Sequence, residues 1–164
     1  MKNIITILLL ILTITSYGQT QLDKEIFKVV NEYRISNGLN AWVWNQELFK
    51  VCEKHNYYQT QIGVVTHDES IDVKGHIEVR KLGDRIRNGV SGNWECVGEN
   101  LARVHNKDLT INEIAERVIN GWINSPPHHK LLLSSKIMYK YGSVSSHYTF
   151  GGTYVTLNVV WLDD

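Results

Sequence analysis

The stretch ECVGENLARV, residues 95–104, reads as an interior strand with one residue out of place. Val97, Leu101, Ala102 and Val104 make it mostly apolar and suit an extended chain. Glu99 sits in the middle. An ionised carboxylate is costly to bury alone, so Glu99 needs a partner, and a histidine or a metal ion would serve.

Working outward, the spacing of Ile26, Val29, Val30 and Tyr33 predicts a helix over Asp23–Ser36, stopped by Gly38. Asn45 caps a second helix, with Leu48, Cys52, His55, Gln59 and Ile62 along one line and Gly63 at its end. The polar stretch from Val64 to Gly92 holds at most a short helix around Val79–Arg87. Thr110 and Glu113 form a capping box. The helix it starts places Ile111, Ala115, Val118 and Trp122 on one face, with Ile114 and Ile119 beside them, and Pro126 ends it. Gly142–Val144 and Thr153–Trp161 read as antiparallel strands. Helices come early and strands late, which predicts an α+β fold with a helix-covered sheet.

The 164 residues suit a single domain. The formal net charge is zero, with neither a basic run for nucleic acid nor an acidic tail. Lys2, the uncharged run Ile4–Ile14 and then Ser16, Tyr17 and Gly18 follow the order of a secretory signal peptide, read as residues 1–18. The run is shorter than the roughly 20 residues a membrane span needs, and no later stretch could span. Cleavage near Gly18 removes Lys2 alone among charged groups, leaving 16 basic residues of 17 against 17 acidic ones. In an exported chain Cys52 and Cys96 can form a disulfide closing a loop of about 45 residues, worth about 3–4 kcal/mol. The alternative is two buried free thiols.

Seven histidines are present: 55, 67, 76, 105, 128, 129 and 147. None forms the His-Glu-x-x-His pattern of a zinc protease, and Cys-x-x-Cys and Gly-x-Ser-x-Gly motifs are absent too. Any site is therefore assembled from distant segments. His55 lies on an apolar helix line and reads as a half-buried histidine bonded to a neighbour. His76, His105 and His147 sit among polar residues. His67 opens a loop, and His128 follows a double proline.

Taken in order, these segments resemble the CAP superfamily of cysteine-rich secretory proteins, antigen 5 and pathogenesis-related proteins, the SCP-like domain. The bacterial extracellular branch fits best. The resemblance rests on Asn31-Glu-Tyr-Arg34 with Gly38-Leu39, Trp44-Asn45 with Leu48, and Thr66-His67. It continues through Gly98-Glu-Asn-Leu-Ala102, then Trp122 with Ser125-Pro126 and His128, then Gly142-Ser-Val144 and the run to Trp161. It implies one domain over residues 19–164, an α-β-α sandwich with a small antiparallel sheet between helical layers and a cleft on one side.

Carried over residue by residue, the cleft gathers His67, Glu99 and His128. In some members the two histidines hold a divalent metal such as zinc. The prolines are expected to stop the helix so that His128 turns into the cleft, with Trp122 behind it. There are departures. Ser125 stands where the animal and plant branch has a second glutamate, Pro127 replaces a glycine, and His129 replaces an arginine. Glu113 and Glu116 are expected to serve the cap or face solvent. Adjacent helical residues point about 100° apart, so His129 is read as a rim residue and not as a co-ligand of His128.

The implied function is a secreted, monomeric, non-catalytic binding module, released or kept in a periplasm. It would take an extracellular lipid, peptide or glycan, with zinc or another divalent cation at His67, His128 and Glu99. The alternative is a metal-dependent extracellular hydrolase of peptidase type, with Glu99 as base. A third reading makes the cluster a structural tie among the second helix, the central strand and the proline turn.

Overall fold

The computed structural model describes residues 18–70, 80–135 and 139–162. The signal-peptide reading of residues 1–18 lies outside these save for Gly18, and His76 lies outside them altogether.

Strand β4 (Gly152–Leu162) dictates the layering. It pairs antiparallel on one side with β3 (Tyr141–Thr149) and on the other with β2 (Trp94–Val104). Residues 152–160 are buried throughout. Successive strand side chains point to opposite faces. Val155, Leu157 and Val159 join a core with Ile26, Val30, Ile114, Val118 and Trp122, whereas Val160 joins Leu48, Val51 and Ile86. Two buried faces require helices on both. The four-stranded sheet runs β1-β3-β4-β2, so β2, which carries Glu99, is an edge strand. It is antiparallel apart from two-residue β1 (Val43–Trp44), which runs parallel to β3.

On one face lie α1 (Gln21–Ser36), α4 (Ile111–Ile123) and α5 (Pro126–Leu132). Thr20 and Thr110 head α1 and α4 with complete capping boxes. Each such cap is worth about 1 kcal/mol. Glu113 thus serves the cap, as expected, while Ile111 is 41% exposed and leaves the apolar face to Ile114, Ala115, Val118, Ile119 and Trp122. On the other face lie α2 (Gln46–Ile62), capped by Asn45 and closed by left-handed Gly63, and α3 (Leu82–Gly89), beginning three residues later than the Val79 expected from sequence.

Two expectations are corrected. The double proline does not open a loop. Pro126 and Pro127 occupy the first positions of α5, where the missing N–H costs nothing and the fixed φ suits the helix. The prolines end one helix and begin the next. The Cys52–Cys96 disulfide is absent, and each residue keeps its own thiol. Cys52 is on α2 and donates to the Ser143 carbonyl of β3. Cys96 is on β2 and packs into the core of the opposite face, with β4 between. The sheet itself separates the two sulfurs.

The Asn31–Arg34 stretch positions α5. Asn31 bonds the backbone N–H and carbonyl of Trp42. Arg34, fully buried, donates to the carbonyls of Asn40, Leu132 and Ser134 and stacks 4.0 Å from the Trp42 ring. Burial lowers its pKa to about 10, so it stays charged at neutral pH. Its positive charge meets the C-terminal carbonyls of α5, where a helix dipole favours a cation.

Candidate functional site

The Gly98–Ala102 stretch builds the site one residue at a time. Gly98 admits α5, since a Cβ there would lie 2.5 Å from Leu131 Cδ1 and 3.1 Å from Val159 Cγ2. Asn100 donates its side-chain N–H to the His128 carbonyl at 3.0 Å. The Leu101 carbonyl accepts from the indole N–H of Trp122 at 2.9 Å. One edge strand therefore fixes both α4 and α5.

Glu99 finds its partners on the opposite face. His67 Nδ1 donates to Oε1 at 2.9 Å, and Arg85 Nη2 donates to Oε2 at 2.6 Å. The side chains of Glu99 and Arg85 are 1% and 4% exposed, that of His67 59%. The same Arg85 donates through Nη1 to the His67 carbonyl at 2.7 Å. His67 is thus held at ring and backbone, with its Nδ1 carrying the proton and Nε2 the lone pair. The Glu99 hydrogen bond raises the His67 pKa against the opposing effect of burial. Burial, then the positive charge of His67, lowers that of His128. Hence the structure brings Glu99 and His67 into contact and brings His128 within electrostatic reach of His67.

Other titratable groups find separate roles. Buried His55 bonds Glu69 through Nδ1 at 3.0 Å and the Thr66 carbonyl through Nε2 at 2.8 Å, anchoring the loop that carries His67. His129 Nε2 pairs with the Tyr33 hydroxyl at 2.7 Å, which ties α5 to α1. His105 is exposed, and His147 is half-buried edge-on to Tyr57. Sequence reasoning missed Arg85, Glu69 and the Tyr33–His129 pair. The need for a cation beside Glu99 was the one available signal for Arg85.

For a divalent metal the donor set is short. Both Glu99 oxygens accept a hydrogen bond, so this carboxylate orients His67 in the way that carboxylates behind metal-bound histidines do. Among the described residues no group of three or more His, Cys, Asp or Glu side chains is arranged to hold an ion. His67 Nε2 and the His128 ring remain. These are two donors, where a catalytic zinc has three protein ligands.

The model of the cysteine-rich secretory protein family, CAP, matches residues 27–159. The chain belongs to the CAP family. Solved structures share this CAP fold. An outer surface protein from Borrelia burgdorferi is similar with a TM-score of 0.70 at 18% identity, over 89% of this chain and 96% of that one. An extracellular protein containing a SCP domain from Bacillus anthracis gives 0.64 at 24%, over 85% of this chain and 40% of that one. NaASP2, crystallised with Zn2+, gives 0.61 at 10%, over 88% and 82%. At these identities the likeness is one of fold. No curated protein matches the chain. Among the described residues no helix is long and apolar enough to cross a membrane.

Proposed function

We propose that this CAP domain is a secreted, non-catalytic binding module that acts as a monomer outside the cell, in the periplasm or beyond it. Its cleft would take an extracellular ligand, a lipid, peptide or glycan, beside His67 and His128, which can share a divalent ion such as zinc. The observation that carries the reading is the double engagement of Glu99, by His67 and by Arg85. A general base needs a carboxylate free to take a proton. This one is buried and held by a cation. The extracellular Bacillus anthracis relative supports placement outside the cell, and the zinc in the NaASP2 crystal supports the choice of ion. Bound there, the ion would supply a Lewis-acidic contact for a ligand oxygen, while this chain's Glu99 and Arg85 keep His67 in register.

Equilibrium dialysis against zinc tests this. The protein should take up about one ion, weakly, since two imidazoles are fewer than the usual protein ligands. His67→Ala with His128→Ala should abolish uptake while circular dichroism stays unchanged. Uptake that persists in the folded double variant rejects the site. Uptake should also fall as pH drops, because protonated imidazole cannot bind metal.

A further inference from the structure

The turn between β3 and β4 displays aromatic rings that the fold does not bury. Phe150 stands at the tip with its whole side chain in solvent, at 105% relative exposure, and Tyr148 beside it on β3 is 68% exposed. The turn beneath them is braced. Arg103 Nη2 donates to the Gly151 carbonyl at 3.1 Å, the Asn106 amide to the Thr149 carbonyl at 3.2 Å, and the Thr149 hydroxyl to the Gly152 carbonyl at 2.7 Å. These bonds end on backbone carbonyls, so they would hold whatever side chain stood at 150. Burying a phenyl ring is worth about 1.5–3 kcal/mol, and a contact outside the fold has that much to gain.

Two observations point to a lipid surface. The first is where the chain enters the domain. Thr20, directly before α1, has its hydroxyl 3.4 Å from that of Ser146, and Asp23 accepts from the Ser146 backbone. Asn31, further along α1, bonds Trp42, which packs against Gly142 at the other end of β3. Helix α1 therefore starts at the tip end of the hairpin and runs away from it. The apolar run Ile4–Ile14 stops six positions before Thr20, a reach of at most about 20 Å. Phe150 lies four residues, about 13 Å, beyond Ser146. A bilayer that holds the leader is thus within reach of the tip. The second observation is the surround. Thr149, Arg103 and, either side of Asn106, the exposed His105 and Lys107 make it polar. A stable protein partner needs about 800 Å² from each side with an apolar centre, which two rings on a narrow turn do not supply. A bilayer interface accepts isolated aromatic rings at headgroup depth, with Arg and Lys beside the phosphates. Exposed Asp108 offsets one of the two cations, so the rings and not the charge carry the contact.

We propose that the β3–β4 tip seats this domain on a lipid bilayer, with Phe150 and Tyr148 inserted at headgroup depth. The contact is peripheral and outlasts removal of the leader. Glu99 lies opposite Asn158, six residues along β4 from Gly152, so the His67–His128 cleft stands about 20 Å from the lipid and stays open to its own ligand.

Cosedimentation of the leaderless protein with sucrose-loaded vesicles of phosphatidylethanolamine and phosphatidylglycerol tests the proposal. The parent should pellet with the vesicles, and Phe150→Ser with Tyr148→Ser should weaken partitioning by about tenfold or more, as loss of two buried rings requires. Ile35→Ser removes an apolar side chain that is 60% exposed near the far end of α1, and should leave partitioning unchanged. Failure of the parent to pellet overturns the proposal, as does undiminished binding by the double variant or an equal loss in Ile35→Ser. Binding should survive about 0.5 M sodium chloride, which screens surface charge. Release by salt would assign the contact to Arg103 and Lys107 alone and overturn insertion. Sedimentation velocity without vesicles covers the competing occupant. A dimer that Phe150→Ser dissolves would make a second copy the partner and reject the lipid. In bicelles carrying a doxyl-labelled lipid, amide signals of residues 148–151 should broaden while that of Ile35 does not, and the reverse pattern rejects this orientation.

Discussion

Arg85 donates to the His67 carbonyl and the Glu99 carboxylate at once, from a side chain 4% exposed. Arg85→Gln would strand a carboxylate whose side chain is 1% exposed. Removing one partner of a buried pair costs about 3–5 kcal/mol, so urea unfolding should show a loss of that size. A loss below about 1 kcal/mol would mean that the pair is solvated. The histidines carry a second expectation. NMR titration of metal-free protein should find His67 protonating above the usual 6.5 and His128 below it, the reverse order disproving the arrangement. Because the folded pKa of His67 is raised, its contribution to stability is complete below about 6.5 and fades as pH climbs through the folded value. The destabilisation by His67→Gln should accordingly be larger at acid than at alkaline pH. In the sequence, the need of Glu99 for a partner was legible, and His67 was found through the resemblance of Thr66-His67 to its family. Arg85 was not, because Arg80, Lys81, Arg85 and Arg87 crowd one short segment and no local signal says which cation turns inward. Tyr33 and His129 stand 96 positions apart, a distance no periodicity can bridge.

The helices announced themselves by their ends. Asn45 and Thr110 accept backbone N–H groups where the capping rules place them, and Gly63 closes α2 at a φ of 72°, whereas α1 starts two residues before the expected Asp23, behind a Thr20 cap that apolar spacing did not reveal. The helix α5 stayed hidden because a proline pair stops one helix and starts another with the same chemistry. Two-residue β1 is too short to leave a pattern. At this scale Gly98 is the sensitive point, since α5 approaches β2 over it. Gly98→Ala would drive a Cβ into Leu131 and Val159. Overpacking of this kind costs about 1–3 kcal/mol. Thermal melts should register that loss, and the His128 resonances should move with the displaced helix. A melt and spectrum identical to the parent's would show that α5 does not depend on this contact.

For the molecule as a whole, the α-β-α order follows from β4, buried on both sides, one face apolar and the other mixing Tyr154 and Val160 with Thr156 and Asn158. The unbridged Cys52 and Cys96 show where the sequence is silent, since a thiol's face of the sheet depends on a register that only pairing creates. One further tie spans nearly the full length. Asp23, 1% exposed at the head of α1, accepts from the backbone N–H of Ser146, 123 positions away, and from its hydroxyl. The head of α1 therefore has its mooring on a strand synthesised 123 positions later. Contacts so distant in sequence close late in folding. Wherever folding takes place, α1 cannot settle until β3 is present to receive it, so a chain cut short before Ser146 would leave its leading helix adrift.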